Sequence, residues 1–577
     1  MRGLRRGHVR RAVTIASSSA VMALSIGGLG PAGHASARSP FHLDRARPAA
    51  VEGSPRSTAA ARQLHRRGYL VPDPAAFSRA KALAARGVPK TPAAAASGQA
   101  PADSAPVLER SWNGVFDPTG SPSDSNGAIG PDRYVEVVNT KFAIYSRTAN
   151  APLSTGTLAK LGGLSDKENF FLTDPEVIWD PGTQRFYYVV LDADVAYRNL
   201  TNGFDFLFGF SKTSSPGGAG DWCKYTVGVG YDDPSSFSAI LPDQPHLGDS
   251  QSLVFWGVND FDLGRRNQPY VGSDVDWVTK PPPGPDCPAS DSFQVGVAGN
   301  LHNPDGSRAW TPVGVNQTDT DPTGWVVASK SVSRPHSSGS FVSLFSVTAA
   351  VDGSGVVSPG RSVPVSQYRI PPDAPEANAS PARLATQDAR LLQAVSAVDP
   401  AHGGVNAIWT EHTVAGGAGS AIDWYEIEPT GHALLQSGRV SNPTLFAFNG
   451  AIAPDRLVSP AGSAFGDTMV LGFNTSSAAT DSAIFMVDKT PTDPQSAWTL
   501  VKQSPGPNLD ATCFFGTRLG SCRWGDFMSA SPDPGADPTQ LHGAVWLTGM
   551  WNAATRSGKK LKAVDWRTWN WEAMQAS

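Results

Sequence analysis

The sequence predicts an all-β protein built as a β-propeller, with seven blades as the expected count and six as the alternative. Three observations carry this. From Leu108 onward the chain is a series of short runs rich in aromatic and β-branched residues, separated by Gly, Pro, Asp and Asn. One unit recurs, a tight Asp/Pro/Gly turn followed by such a run: "IGPDRYVEVVN", "WDPGTQRFYYVVLDA", "LGDSQSLVFWGVND", "TDPTGWVVASKS", "VDPAHGGVNAIWTEH", "SPAGSAFGDTMVLGFN" and "PDPGADPTQLHGAVWLTG". Its marker glycines (Gly130, Gly182, Gly248, Gly324, Gly403, Gly462 and Gly535) lie about 67 residues apart, so seven such units fill the body of the chain.

Several units continue with a second strand pair, as in "FDFLFGFSKT", "SFVSLFSVTAA", "IDWYEIEPTG" and "AIFMVDKTP". Each unit is then one four-stranded sheet whose apolar faces must stack on neighbours. Radial stacking leaves only short, protected edges. A β-sandwich array is the rival, but it needs about a hundred residues per unit.

Before this body lie two other segments. Residues 1–37 read as an export signal: Arg2, Arg5, Arg6, Arg10 and Arg11 precede the apolar run 12–29, and Ala35, Ser36 and Ala37 offer small residues for cleavage. Arg10-Arg11 resembles a twin-arginine pair, whereas the "AVT" after it departs from that motif, so either export route fits. Residues 38–106, rich in Ala, Pro, Arg and Ser, read as a linker or pro-segment. Short helices fit Ser57–Arg67 and Ala75–Arg86, with little apolar surface to pack. The propeller domain takes 107–577. No later stretch of about twenty apolar residues exists, so no membrane span is expected and the mature protein is expected to be secreted and monomeric.

Charge and cysteine content narrow the partners. The signal carries +5 and residues 38–106 carry +7 (eleven Lys/Arg, four acids); subtracting both from the total of −4 leaves −16 on 107–577. An acidic body excludes nucleic acid, whose phosphates demand a basic face, and suits cations or neutral polymers. Four cysteines in an exported chain fit two disulfides. Of the three pairings, Cys223 with Cys287 and Cys513 with Cys522 is the expected one, the second closing "CFFGTRLGSC".

In a propeller the innermost strand of each blade lines the central channel. That strand should be the run just before each marker turn. The runs open with "SDSNGA", "TDPEVIW", "PDQPHLG", "RAWTPVGVN", "QDARLLQAV", "FNGAIA" and "CRWGDFMSA". They carry Asp124, Asn126, Asp174, Glu176, Asp243, His246, Asp388, Arg390, Asn449, Arg523 and Asp526 at equivalent places in distant repeats. Acids and arginines are disfavoured in an all-β core unless paired, so the set predicts a polar pocket at the channel mouth. A single Asp there also serves as a turn cap through its own backbone. Arg390, Arg523 and His246 do not cap turns in that way. In "CRWGDF", Arg523 and Asp526 either face the funnel over Trp524 or zip the first and last blades with Trp524 as core.

The combination "SNGAIGPDRYVEVVN", "DPEVIWDPGTQRFYYV", "PDQPHLG" and "RWGDF" resembles secreted bacterial proteins with sialidase-like β-propeller folds, over residues 108 to about 550. The resemblance implies the fold. A sialidase itself would bring an arginine triad, a Tyr–Glu nucleophile pair and Asp-box turns. No Asp box of the S-x-D-x-G-x-T-W kind occurs here, and no arginine triad is assignable.

The leading chemistry is hydrolysis of an extracellular glycan, which needs two carboxyl groups about 5–5.5 Å apart for retention or 6.5–9.5 Å for inversion. Asp124, Asp174, Glu176, Asp243 and Asp526, with His246, are the catalytic candidates. Asn126, Asp388, Arg390, Asn449, Arg523 and Trp524 are the substrate-binding ones. Asp174 and Glu176, at i and i+2, should share a strand face. Asp243 with His246 offers an acid/base pair that also suits a polysaccharide lyase. The rival class is a non-catalytic propeller that binds glycan or a cell surface. No cofactor is required, while "DTDPTG" (Asp319, Asp321) and "YDDPSS" (Asp232, Asp233) offer oxygen ligands to a structural calcium ion. "LGDSQS" (Ser250) and "GVND" (Asn259, Asp260) mimic hydrolase blocks that belong on separate elements of an α/β fold. No H-E-x-x-H, G-x-S-x-G, P-loop or C-x-x-C pattern occurs. Trp566, Trp569 and Trp571 either stack on sugars or pack the outer part of a blade.

Overall fold

The computed structural model describes residues 42–45, 70–88, 105–117, 120–165, 172–193, 204–228, 232–233, 238–263, 265, 269–377, 381–458, 464–515, 518–535, 543–553 and 566–574. Among the described residues, seven sheets of four or five strands, antiparallel in their main ladders, carry the fold. Their innermost strands are Asn126–Ile129, Leu172–Asp180, Ser238–Asp249, Ala309–Gly314, Leu391–Asp399, Phe446–Pro454 and Ser529–Pro532. Each packs against the next and the last packs against the first, which is the closed ring of a β-propeller. We number the blades 1 to 7 in that order.

The strands are apolar on both faces because both faces are covered. In blade 1, Val135, Val137, Phe142 and Ile144 turn to Val177, Trp179, Phe186 and Tyr188 of blade 2. The alternate residues Tyr134 and Tyr145 turn the other way, to Trp546 and Met550 of blade 7. A two-residue period thus loads two inter-blade cores from one strand pair.

The ring closes with a strand from the other end of the chain. Blade 7 runs Ser529–Pro532, Val545–Asn552 and Trp566–Met574, and its outermost strand is Val107–Asn113. Trp112 inserts edge-on against Tyr134, Tyr145 and Trp546, at centroid distances of 5.9, 5.5 and 5.8 Å. Trp566 and Trp571 are fully buried in this blade, and Lys502 lies 3.8 Å over the Trp569 ring, so the terminal tryptophans are packing residues. Both expected disulfides form: Cys223–Cys287 ties the outer strand of blade 2 to the loop beyond the third strand of blade 3, and Cys513–Cys522 closes the loop before blade 7.

The segment read as a linker contributes structure to the propeller. Helix Pro74–Arg86 forms because Asp73 caps it, accepting from Ala76 N at 2.9 Å, with proline in its first turn. Its apolar surface is sparse, as expected, yet it packs: Val71, Ala76 and Ala80 are buried, and Ala80 joins Val332, Tyr368, Ile370, Ala389 and Val414. Lys81 anchors it, 2.8 Å from Asp373 and 2.9 Å from Thr386 Oγ1. Strand His42–Arg45 pairs with Trp222–Gly228 at the rim of blade 2. The segment 1–37 read as an export signal and the helix expected at Ser57–Arg67 lie outside the described residues. Among the described residues, no helix is long and apolar enough to cross a membrane.

Candidate functional site

Every blade opens its inner strand with left-handed backbone. The residues are Asp124 (φ 42°), Asp174 (51°), Gln244 (54°), Thr311 (51°), Gln387 and Ala389 (58° and 67°), Asn449 (51°) and Asp526 (60°). In blades 2, 3, 4 and 6 the residue sits in a register shift: Thr173/Glu176, Asp243/His246, Trp310/Val313 and Phe448/Gly450. Such a bulge bends the strand and re-aims a side chain. Holding a non-glycine residue there costs about 1–3 kcal/mol, least for Asp and Asn and most for β-branched Thr311. Repeated around the ring, it brings side chains of distant blades together.

The contacts trace the result. Asn139 clamps blades 1 and 2: its Nδ2 donates to Asp124 Oδ2, and its Oδ1 accepts from Asp174 N and Thr173 Oγ1 at 3.0 and 3.1 Å. The Asp124 and Asp174 carboxyls touch. Asp174 Oδ2 accepts from Gln244 N at 3.2 Å, and Gln244 Oε1 accepts from Arg390 Nη1, which spans from blade 5. Arg390 forks onto Asp388 at 2.7 and 3.2 Å and lies 4.9 Å over Trp310. Asp388 Oδ2 also accepts from Trp310 Nε1 at 3.1 Å. On the far side Arg523 pairs with Asp526, and Asp124 N donates to Gly525 O at 3.0 Å, stitching blade 1 to blade 7. The Arg523–Asp526 pair lies within the entry of blade 7, the link to blade 1 is made by the Gly525 carbonyl rather than by the pair, and Trp524 is fully buried core with no stacking face.

Two carboxyls in contact cannot both ionise in a buried setting. Burial, and then Asp174, push Asp124 well above the usual carboxylate range, against Arg523 and Asn139. Asp243 is partly exposed and is pushed up to about 7, by desolvation and then by Asp174, against Arg390 and Arg523. Acids from three blades thus meet here, and two of them, Asp124 and Asp243, are driven toward their protonated forms.

Asp174 and Glu176 do reach the same neighbour, though through a bulge rather than a regular strand. Glu176 Oε2 accepts from Leu247 N at 2.6 Å, and Glu176 Oε1 lies 3.1 Å from His246 Nδ1. His246 is therefore partnered by Glu176 and not by Asp243, because the shift between Asp243 and His246 separates them. Asn126 Oδ1 accepts from Val177 N at 3.0 Å, and Asn449 Nδ2 donates to Asn474 Oδ1 at 3.0 Å. These two hold blades and strands together. Asn126, Glu176 and His246 line a narrow cavity below the mouth with Val313, Gln393 and Met528. Gln393 crosses from blade 5 to exchange hydrogen bonds with Ala530 of blade 7, at 2.7 and 3.0 Å, so the channel is bridged rather than open.

The N-terminal segment reaches the edge of the site. Leu70 O accepts from Arg390 Nη2 at 3.4 Å, and helix Pro74–Arg86 follows directly. Asn139, Gln244, Gln387 and Gln393 belong to the site although sequence reading passed over them. The proline after Gln244 matches the one after Asp174, and that repeat is the signal for Gln244. Asp319, offered for calcium, bonds Arg456 at 3.3 Å and accepts from Val398 N at 2.9 Å, and Asp321 accepts from Thr323 N at 2.8 Å. The side chains of Asp232 and Asp233 lie outside the described residues.

No family model matches the chain and no curated protein matches it. Solved structures with similar shape include an apocarotenoid oxygenase mutant from Synechocystis (11% identity, 66% of this chain and 71% of that chain, TM-score 0.37). Others are the Hadza microbial sialidase Hz136 (7%, 72% and 70%, 0.36) and an α-L-arabinofuranosidase from Lactobacillus brevis (10%, 69% and 89%, 0.27). Likenesses this distant say nothing about chemistry.

Proposed function

We propose that this propeller is secreted and hydrolyses an extracellular glycan at its channel mouth. The observation that carries the reading is the meeting of Asp124, Asp174 and Asp243 from three blades, with the upward pressure on Asp124 and Asp243. Asp124 and Asp174 are too close together to flank a glycosidic bond between them; Asp124, held up by burial and by Asp174, is the general acid toward the leaving oxygen. Asp243, partly exposed, is the second carboxyl, which activates water or attacks the sugar. Arg390 and Arg523 oppose the upward pressure on the acids and offer N–H groups to hydroxyl or carboxylate substituents.

A second reading, a non-catalytic glycan-binding propeller, is favoured by the ion pairing of both arginines and by the bridged channel. One experiment separates them. The full chain, with Asp124→Asn and Asp243→Asn variants, is screened on a polysaccharide panel with reducing-end and unsaturated-product assays. The hydrolase reading expects new reducing ends and a loss of about 100-fold or more in kcat for each variant. Equal activity of wild type and both variants sinks the site. Retention of glycan with no product from any polymer supports the binding reading, and unsaturated products support a lyase. N-terminal sequencing of protein recovered from the medium tests export and the fate of 38–106.

A further inference from the structure

Blades 2, 5 and 7 end their inner strands on the same Asp-Pro turn, and the Asp is buried each time. In two of the three a cation answers it. Lys280 lies 2.8 Å from Asp180 and also 2.8 Å from Asp249 of blade 3. Arg147 forks onto Asp533, with one contact at 2.8 Å. In blade 5 the equivalent Asp399, fully buried, meets a second fully buried carboxylate, Glu426, which is on the third strand, Gly419–Glu428. Both carboxylates face His402, whose Nδ1 touches Asp399 Oδ2 and lies 3.8 Å from Glu426 Oε2. Lys489 is close enough to feel Glu426 but donates to Thr490 O. Glu426 Oε2 accepts from Gln436 Nε2 at 2.7 Å, whereas the buried Oε1 accepts nothing.

Asp399, His402 and Glu426 each bring one ligand atom within 4.8 Å of the other two. Two carboxylate oxygens and an imidazole nitrogen suit a borderline divalent ion such as zinc, whose ligands sit about 2.0–2.2 Å from the metal; calcium prefers oxygen alone. Such an ion satisfies the orphan oxygen and takes the place that Lys280 and Arg147 fill in the other two blades. We propose that Asp399, His402 and Glu426 form a divalent transition-metal site, with zinc as the best-fitting ion, that ties the first and third strands of blade 5 and leaves an open coordination position beside the partly exposed His402. The site stands apart from the acid cluster at the mouth and does not depend on its function.

The test uses the full chain stripped with EDTA and titrated with zinc by calorimetry, with the melting temperature followed in parallel. The expected result is one zinc per chain, a rise in Tm on loading, and loss of affinity by about 100-fold or more in His402→Ala and in Glu426→Gln. His302→Ala, an exposed histidine elsewhere, should bind as wild type. Circular dichroism checks that each variant is folded, and His402, being partly exposed, is the variant least able to disturb the core. Absence of zinc, cobalt and manganese binding in the wild type overturns the proposal. So does binding that persists in both ligand variants, or that vanishes in His302→Ala.

Discussion

Buried carboxylates set the residue-scale character of this molecule. Glu411 of blade 5 is fully buried, neither of its oxygens has a hydrogen-bond partner, and burial pushes it up to about 8. Gly450 of blade 6 faces it so closely that a Cβ there would fall 2.9 Å from Oε2. The folded chain keeps this proton while the unfolded chain loses it near the ordinary glutamate value. The folded state therefore binds more protons between those two values, and the group's contribution is full at low pH and lost as pH rises through about 8. Glu411→Gln should remove that fall. Urea unfolding at pH 5 and pH 9 is expected to show the variant gaining roughly 2–5 kcal/mol on wild type between the two conditions. A constant difference would mean that Glu411 is not held protonated.

The element that recurs is the bulged entry of the inner strand, and blade 7 shows why "RWGD" has its glycine. Gly525 has φ 69°, and a Cβ there would sit 2.3 Å from Asn449 Nδ2, itself bonded to Asn474. Gly525→Ala should cost about 2–4 kcal/mol through strain and overlap together, read as a drop in urea midpoint without a change in slope. Sequence composition announced only part of this element. Asp and Asn at four of the entries advertise tolerance of left-handed backbone, whereas Gln244, Thr311 and Ala389 do not. Their conformation is imposed by the ladder around them, and Thr311 is held by Asn259, which accepts from its N at 3.0 Å and donates to its Oγ1 at 3.0 Å. The partner of His246 was unreadable for the same reason: one extra residue in a strand changes which side chain faces which.

At the scale of the whole molecule the ring depends on joining its two ends. Trp112 is carried by the strand Val107–Asn113 into the aromatic cluster between blades 7 and 1. Trp112→Ala should cost about 3–5 kcal/mol and loosen the closure. Hydrogen exchange of residues 566–574 should rise well beyond that of blade 4 on the opposite side. Uniform exchange around the ring would show that closure rests elsewhere.

The sequence alone determined the repeat, its division into short antiparallel strands, and the Asp and Asn residues at four of the strand entries, and it favoured the disulfide pairing that forms. These follow from local periodicity and turn chemistry, which every unit repeats. Only the tertiary structure decided the partners of the charged residues. Arg390 takes Asp388 and reaches Gln244, His246 takes Glu176, and the helix legible at Ala75–Arg86 finds its packing partners among Val332, Tyr368 and Ala389. The physical reason is that a buried charge is answered by whatever group the ring brings within about 3 Å, and that group comes from a blade far away in the chain.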